Sequence, residues 1–230
     1  FGGMIVNQKG EVEAYDEFCT SDIEIKLEAM EVHNITPDLI IGKPEAIQTK
    51  FYQKLQEYNN PSNYLIAHNI SFDLGMIKKE GFENKYQLLD TLRCAQHLFP
   101  ELPYHRLQYL RYALDIYMDE QEEAQKHNIT IKAHDAIGDV LVMKLFLSQL
   151  VARCRKTYPD YNPMEKLVEL TKTPVFIKTF KFGKYKGRET SDIAKEDPGY
   201  LMWMMKNMEM DDNLKYTLEK LTSSKANDYY

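Results

Sequence analysis

At 230 residues the chain can hold one full domain and a small appendage, and 43% hydrophobic with 28% charged residues is the balance of an ordinary globular protein. The net charge of −6 argues against coating nucleic acid by bulk attraction but leaves a local basic groove open, because phosphate contact is a property of patches. No apolar run approaches the roughly 20 residues that span a bilayer, and no basic-then-apolar leader stands at the front, so no membrane is expected as a partner.

Phe1 to Val6 reads as a strand, Asn7-Gln8-Lys9-Gly10 as a turn, and Val12 to Phe18 as the hairpin partner. Thr36-Pro37 is a helix start, with proline at the first helical position. Ala46, Ile47, Phe51, Leu55 and Tyr58 recur at helical spacing, so a further helix follows Pro44. Tyr64 to Ala67 is a short apolar run suited to a strand buried on both faces, and Asn69 or Ser71 can cap the helix after it. Leu88-Leu89 into Asp90-Thr91 repeats the strand-to-helix pattern. Leu107, Leu110, Leu114 and Ile116 mark another helix, Asp119 to His127 reads as a charged surface stretch, and Val140 to Val151 is the apolar stripe of a long helix opening at Asp135.

A hairpin followed by strands alternating with helices predicts an α/β sheet covered by helices. Residues 1–155 are read as that domain and 156–174 as a linker carrying a short helix, begun by an Asn162 cap with Pro163 in first position. Residues 175–222 are read as a small α+β module with two strand-like pieces, and 223–230 as a tail. Cys19, Cys94 and Cys154 lie too far apart for a disulfide framework or a zinc site, which suggests a reducing, cytoplasmic setting.

Two segments carry chemistry. Ala67-His68-Asn69-Ile70-Ser71-Phe72-Asp73 ends an apolar strand on a carboxylate, and His134-Asp135-Ala136-Ile137-Gly138-Asp139 sets a histidine and a carboxylate at a helix start. Hydrolysing a phosphodiester at neutral pH needs an activated water and relief of negative charge, which two divalent ions supply from a carboxylate site. Asp73 and Asp139 are the candidate ligands and His134 the candidate general base, since an imidazole titrates near working pH. Five positions amount to about 140° on a regular helix, so His134 and Asp139 meet only if His134 lies in the loop before it. Asp135 is better read as a helix cap and His68 as structural, while His97, His105 and His127 read as ordinary surface residues. Trp203 and its neighbouring methionines read as core.

These segments, in this order, resemble two of the three motifs of the DEDDh superfamily of 3′–5′ exonucleases, which includes polymerase proofreading subunits, ribonuclease T and exonuclease X. Phe1 to Val6 looks like the family's second strand, His33-Asn34-Ile35-Thr36 like its His-Gly-Ile-Thr turn, and Asp90-Thr91-Leu92 like its downstream Asp-Thr segment. The resemblance implies a ribonuclease H-like mixed sheet flanked by helices. It implies a two-metal site for Mg²⁺ or Mn²⁺ held by Asp73 and Asp139, with His134 as base. It also implies that Asn69 and Phe72 shape the pocket and that the His33 turn lies near the 3′ nucleotide. The family's first motif, an Asp-x-Glu on the leading central strand, is not found on Phe1 to Val6; the resemblance places it ahead of Phe1. Glu11, Glu13, Asp16 and Glu17 sit on a hairpin that does not substitute for it.

Lys178 to Arg188 carries five basic residues and three aromatics without one acid. Charge interleaved with ring faces suits a single-stranded nucleic acid, which makes Lys181, Lys184, Tyr185 and Lys186 candidate substrate contacts. With Asp197-Pro198-Gly199-Tyr200, the stretch resembles a small module appended to some bacterial exonucleases. The expected partners are a nucleic-acid 3′ end, single-stranded DNA before RNA, and a second copy or a polymerase or repair protein. The competing expectation is a nucleic-acid-binding or protein-interaction relative without catalysis.

Overall fold

The computed structural model describes residues 1–130 (the Val32 side chain excepted) and 136–223. It divides into two compact units, Phe1–Thr171 and Lys172–Tyr230. The first opens with β1 (Gly2–Val6) and β2 (Val12–Asp16), paired antiparallel from Gly2↔Asp16 to Val6↔Val12. Asn7 shapes their turn: its Oδ1 accepts from the Lys9 and Glu11 amides at 2.9 and 3.0 Å, and Gly10 takes a φ of +80°. Gly3 is required for another reason. A Cβ there would stand 1.9 Å from the Phe51 ring, so only glycine lets β1 lie against that side chain.

Next come α1 (Leu27–His33), α2 (Pro37–Ile40) and α3 (Lys50–Glu57). Thr49 caps α3 through the Tyr52 amide at 3.3 Å, and the Glu17 carboxylate accepts from the Lys50 and Phe51 amides at 3.2 and 2.8 Å. β3 (Tyr64–Ala67), α4 (Ile70–Lys79) and β4 (Gln87–Asp90) form a βαβ unit, parallel from Tyr64↔Gln87 to Ala67↔Asp90. β3 is half-buried along its length rather than buried on both faces. Among the described residues it pairs along one edge only, and the two strand pairs remain separate sheets. The result is a mixed α/β, helix-rich unit with a small amount of sheet.

The remaining helices of this unit are α5 (Thr91–Leu98), α6 (Leu107–Ala113), α7 (Glu120–Lys126), α8 (Ala136–Thr157) and α9 (Pro163–Lys172). Leu89, Cys94, Leu110, Phe146, Leu150 and Leu167 are fully buried in one core, with α8 running through it. α9 starts as its sequence demands: Asn162 Oδ1 accepts from the Met164 and Glu165 amides at 2.9 and 3.3 Å. The helix then packs Leu167 and Leu170 into that core and gives Thr171 Oγ1 to the Asp90 amide at 2.9 Å. Among the described residues no helix is long and apolar enough to cross a membrane.

The stretch Asp119–His127 is not merely a solvated surface. It folds as α7, and Glu120 is only 4% exposed, held by the Arg111 guanidinium through both carboxylate oxygens. One turn on, Lys144 and then His127 bind the Glu123 carboxylate and hold its pKa down at about 2, against an ordinary 4.5. A carboxylate depressed in the folded state stabilises it fully above the ordinary pKa, and that stability is lost as pH falls from 4.5 to about 2. Acid unfolding of Lys144→Ala, followed by circular dichroism, is therefore expected to show a shallower loss of stability across that window. A wild-type slope retained in the variant would contradict the pairing.

The second unit has one antiparallel bridge, Thr179↔Glu189, in place of two strands, and then α10 (Thr190–Glu196), α11 (Pro198–Asn207) and α12 (Asp212–Ser223). Phe180, Ile193, Leu201, Met204 and Leu218 fill its core. Among the described residues the leading segment, 175–177, has no strand partner. Its amides go instead to side chains of α12, Val175 N to Asn213 Oδ1 and Ile177 N to Thr217 Oγ1, both at 2.8 Å. The tail expected from Ser223 onward lies, after that first residue, outside the described residues.

Candidate active site

The candidate site is built where β3 and β4 end in register. Past Ala67 the chain turns through Asn69, which adopts a left-handed φ of +73°, a conformation asparagine tolerates better than most residues. The turn is fixed by Asp90, the register partner of Ala67. Asp90 Oδ1 accepts from the Asn69 amide at 3.0 Å and from the Leu92 amide at 2.9 Å, so one carboxylate oxygen ties the start of α4 to the start of α5.

His68 belongs to this frame. Its Nε2 donates to the His105 carbonyl at 2.8 Å, and its Nδ1 lies 2.9 Å from Thr91 Oγ1. Burial is the main cause that lowers its pKa, against the opposing pull of the Asp90 and Asp139 charges. The lowered pKa favours the neutral ring, and Thr91 Oγ1 also reaches the Ala67 carbonyl at 3.2 Å, which ties the ring to the end of β3. His105, expected as an ordinary surface residue, anchors a loop through its ring and the Phe99 carbonyl at 2.9 Å.

Asp73 stands in the first turn of α4 on the solvent side. Partial desolvation first, and the like charge of Asp90 second, push its carboxyl above the usual range. Asp139 stands in the first turn of α8, exposed, and accepts from Gln108 Nε2 at 2.7 Å. Asp90 thus acts electrostatically on both Asp73 and His68, and Asp139 acts on His68. His134 lies outside the described residues, and among those described no three His, Cys, Asp or Glu side chains gather closely enough to hold a metal ion.

Of the other candidates, Phe72 is 65% exposed on α4, and the Asn69 side chain is exposed and accepts from the Ser71 hydroxyl at 3.3 Å. His33 ends α1 and caps its own turn, Nδ1 accepting from the Ile35 amide at 2.9 Å. In the second unit, Lys184 and Tyr185 are tied to Asp197, Nζ at 3.2 Å and the phenol at 2.7 Å from the same oxygen. Those two bonds, the phenol's first, hold Asp197 below the usual carboxylate range. Lys181 and Lys186 are exposed and make no ion pair among the described residues. Gln108 and Asp90 were not singled out as site residues by the sequence. Asp90 carried a signal in its strand-to-helix position; Gln108 carried none.

A family model described as Exonuclease matches residues 1–146. The chain belongs to the exonuclease family. A second model, Exodeoxyribonuclease X-like C-terminal, matches residues 180–209. Exodeoxyribonuclease 10 of Escherichia coli K12 is 28% identical over 202 residues, which span 86% of this chain and 80% of that protein. The PolC-type DNA polymerase III of Bacillus cereus is 32% identical over 149 residues, 63% of this chain and 9% of the polymerase. Exonuclease X, solved in complex with 5′ overhanging duplex DNA, superposes with a TM-score of 0.50 at 18% identity, over 74% of this chain and 88% of that one. The exonuclease fold read from the two motifs is the fold of this family member, and its exonuclease relatives process DNA.

Proposed function

We propose that this exonuclease removes nucleotides from the 3′ ends of DNA, single strands by preference, with a pair of Mg²⁺ or Mn²⁺ ions and His134 as general base. The observation that carries the reading is the registered end of β3 and β4, which sets Asp73 within the field of Asp90 beside the Asn69 turn. The donors fit such ions in kind. Asp73 and Asp139 offer the hard oxygens that Mg²⁺ takes, and the like charge that disfavours an ionised Asp73 is what a divalent cation relieves. The remaining ligands belong, on this reading, to the family's Asp-x-Glu strand motif; the Asp-x-Glu triplet of this chain, Asp22-Ile23-Glu24, lies in the loop ahead of α1 and on no strand.

Divalent ions held there would supply a water of lowered pKa and relief of the charge on the leaving oxygen. The chain's own groups do the rest. Asp73 and Asp139 hold the ions, and the Gln108 amide fixes the Asp139 carboxylate by its hydrogen bond. His134 takes the proton of the attacking water. Asn69 and Phe72 line the strand-end pocket, the His33 turn lies near the terminal nucleotide, and Lys181, Lys184, Tyr185 and Lys186 serve the strand from the second unit. DNA is preferred to RNA because the relatives named above are exodeoxyribonucleases and DNA polymerases.

The full-length protein with His134→Ala tests the base. Its kcat on a single-stranded oligodeoxynucleotide is expected to fall on the order of 10²–10⁴-fold, with binding in EDTA unchanged. Near-full hydrolysis by the variant would remove His134 from that role.

A further inference from the structure

We propose that the second unit grips single-stranded nucleic acid, with Trp203 and Tyr200 as a base-stacking platform beside the basic loop 178–188. Sequence alone places Trp203 in the core, but the structure leaves it 52% exposed, while Leu201 and Met204 on the same helix are at 1% and 0%. Tyr200 and Trp203 are three positions apart on α11 and so share one face. Their rings stack, 6.0 Å between centroids and 19° between planes.

Tyr200 is itself clamped. Tyr185 meets it edge-on at 5.0 Å and Phe180 at 6.3 Å, and a Cβ on Gly183 would stand 2.6 Å from its hydroxyl. Gly183 takes a φ of +72°, which glycine adopts freely and other residues rarely do. The tyrosine therefore braces the indole, which stays about half exposed and open to a ligand.

The same clamp brings cations to the platform. Lys184 lies 4.6 Å over the Tyr185 ring and pairs with Asp197, and Arg188 pairs with Glu196 at 2.7 Å. Both also brace the clamp through those acids. Lys178, Lys181 and Lys186 are exposed and make no ion pair among the described residues. An open aromatic face beside cations without acids fits a chain of stacked bases linked by phosphates. A duplex would not present its base faces to the ring. The choice of nucleic acid as occupant rests on the exonuclease reading; the grip itself requires no metal and none of the residues at the strand ends.

Trp203 is the single tryptophan among residues 1–230, so under tryptophan-selective excitation the emission that Trp203→Phe removes is the signal of this site. Full-length protein in EDTA is titrated with oligothymidylate, with anisotropy of a labelled oligonucleotide as an independent reading of total binding. Expected is saturable quenching that weakens with salt, and a loss of affinity of roughly 5- to 100-fold in Trp203→Ala, with Trp203→Phe within a few-fold of wild type. Lys181→Ala with Lys186→Ala is expected to reduce the salt slope by about 1.4, which supports the site even if Trp203→Ala fails to fold. Binding by anisotropy with unchanged fluorescence and no effect of Trp203→Ala or the lysine variants would overturn the proposal. So would the absence of any binding, or equal quenching by a blunt duplex. Quenching without Mg²⁺-dependent hydrolysis would leave the grip standing and remove the exonuclease reading; hydrolysis without quenching would do the reverse.

Discussion

Replacing Asp139 with asparagine in the full-length protein is expected to lower Mg²⁺-dependent hydrolysis of a single-stranded 3′ end on the order of 10²-fold or more, with folding stability within about 0.5 kcal/mol of wild type. The substitution is chosen because it separates charge from shape. Asparagine keeps an oxygen that can accept from Gln108 Nε2, so the contact between α6 and α8 survives. It removes the negative charge that a divalent ion needs. Gln108→Ala is expected to lie between, losing about 10-fold, because it frees the carboxylate without removing it. Single-turnover rates at saturating substrate, with melting curves alongside, check both. An Asp139→Asn variant with full activity would take Asp139 out of the site.

The largest effect on stability is expected at Arg111. Glu120 is 4% exposed, and the Arg111 fork satisfies both its oxygens. Arg111→Ala strands a carboxylate in a place water barely reaches, at a cost of about 3–5 kcal/mol. The pair as a whole contributes much less, because both charges had to leave water to form it. The double variant Arg111→Met/Glu120→Leu is therefore expected to recover most of the loss. Urea unfolding of Arg111→Ala and of the double variant measures this. Equal destabilisation in both would mean that packing, not the unpaired charge, carries the effect.

The parts of the fold that were legible in the sequence are those with local causes. The Asn7–Gly10 turn, the Pro37 and Pro163 helix starts and the Asp90-Thr91 junction each depend on residues within a few positions of one another, and each forms as expected. The features that escaped depend on distant partners. The surface reading of Asp119–His127 holds for its exposed residues and missed the buried Glu120 and half-buried Glu123, because the ion partners of these acids, Arg111 and Lys144, lie on α6 and α8. Two strand-like pieces after Val175 became a single bridge because the amides of the first bond to side chains of α12, about 40 residues away. Trp203 was misplaced because a helix face of tryptophan and methionine has the same apolar pattern whether it meets a core or a ligand; only its 52% exposure separates them.

The candidate site divides the same way. Asp73 and Asp139 were legible as candidates because each stands in a short motif at a helix start, and the structure puts both in a first helical turn. Asp90 fixes the Asn69 turn by a bond across 21 positions, and Gln108 reaches Asp139 across 31. No period in the sequence reports contacts of that range.

The most direct test of the central claim is the product ladder from a 5′-labelled single-stranded oligodeoxynucleotide incubated with the full-length protein in Mg²⁺ or Mn²⁺ and in EDTA. Progressive shortening of the labelled strand from its 3′ end, abolished by EDTA and by Asp73→Asn, is the expected result. Immediate release of labelled mononucleotide, or a ladder that persists in EDTA, would contradict a metal-dependent 3′–5′ exonuclease built on the ends of β3 and β4.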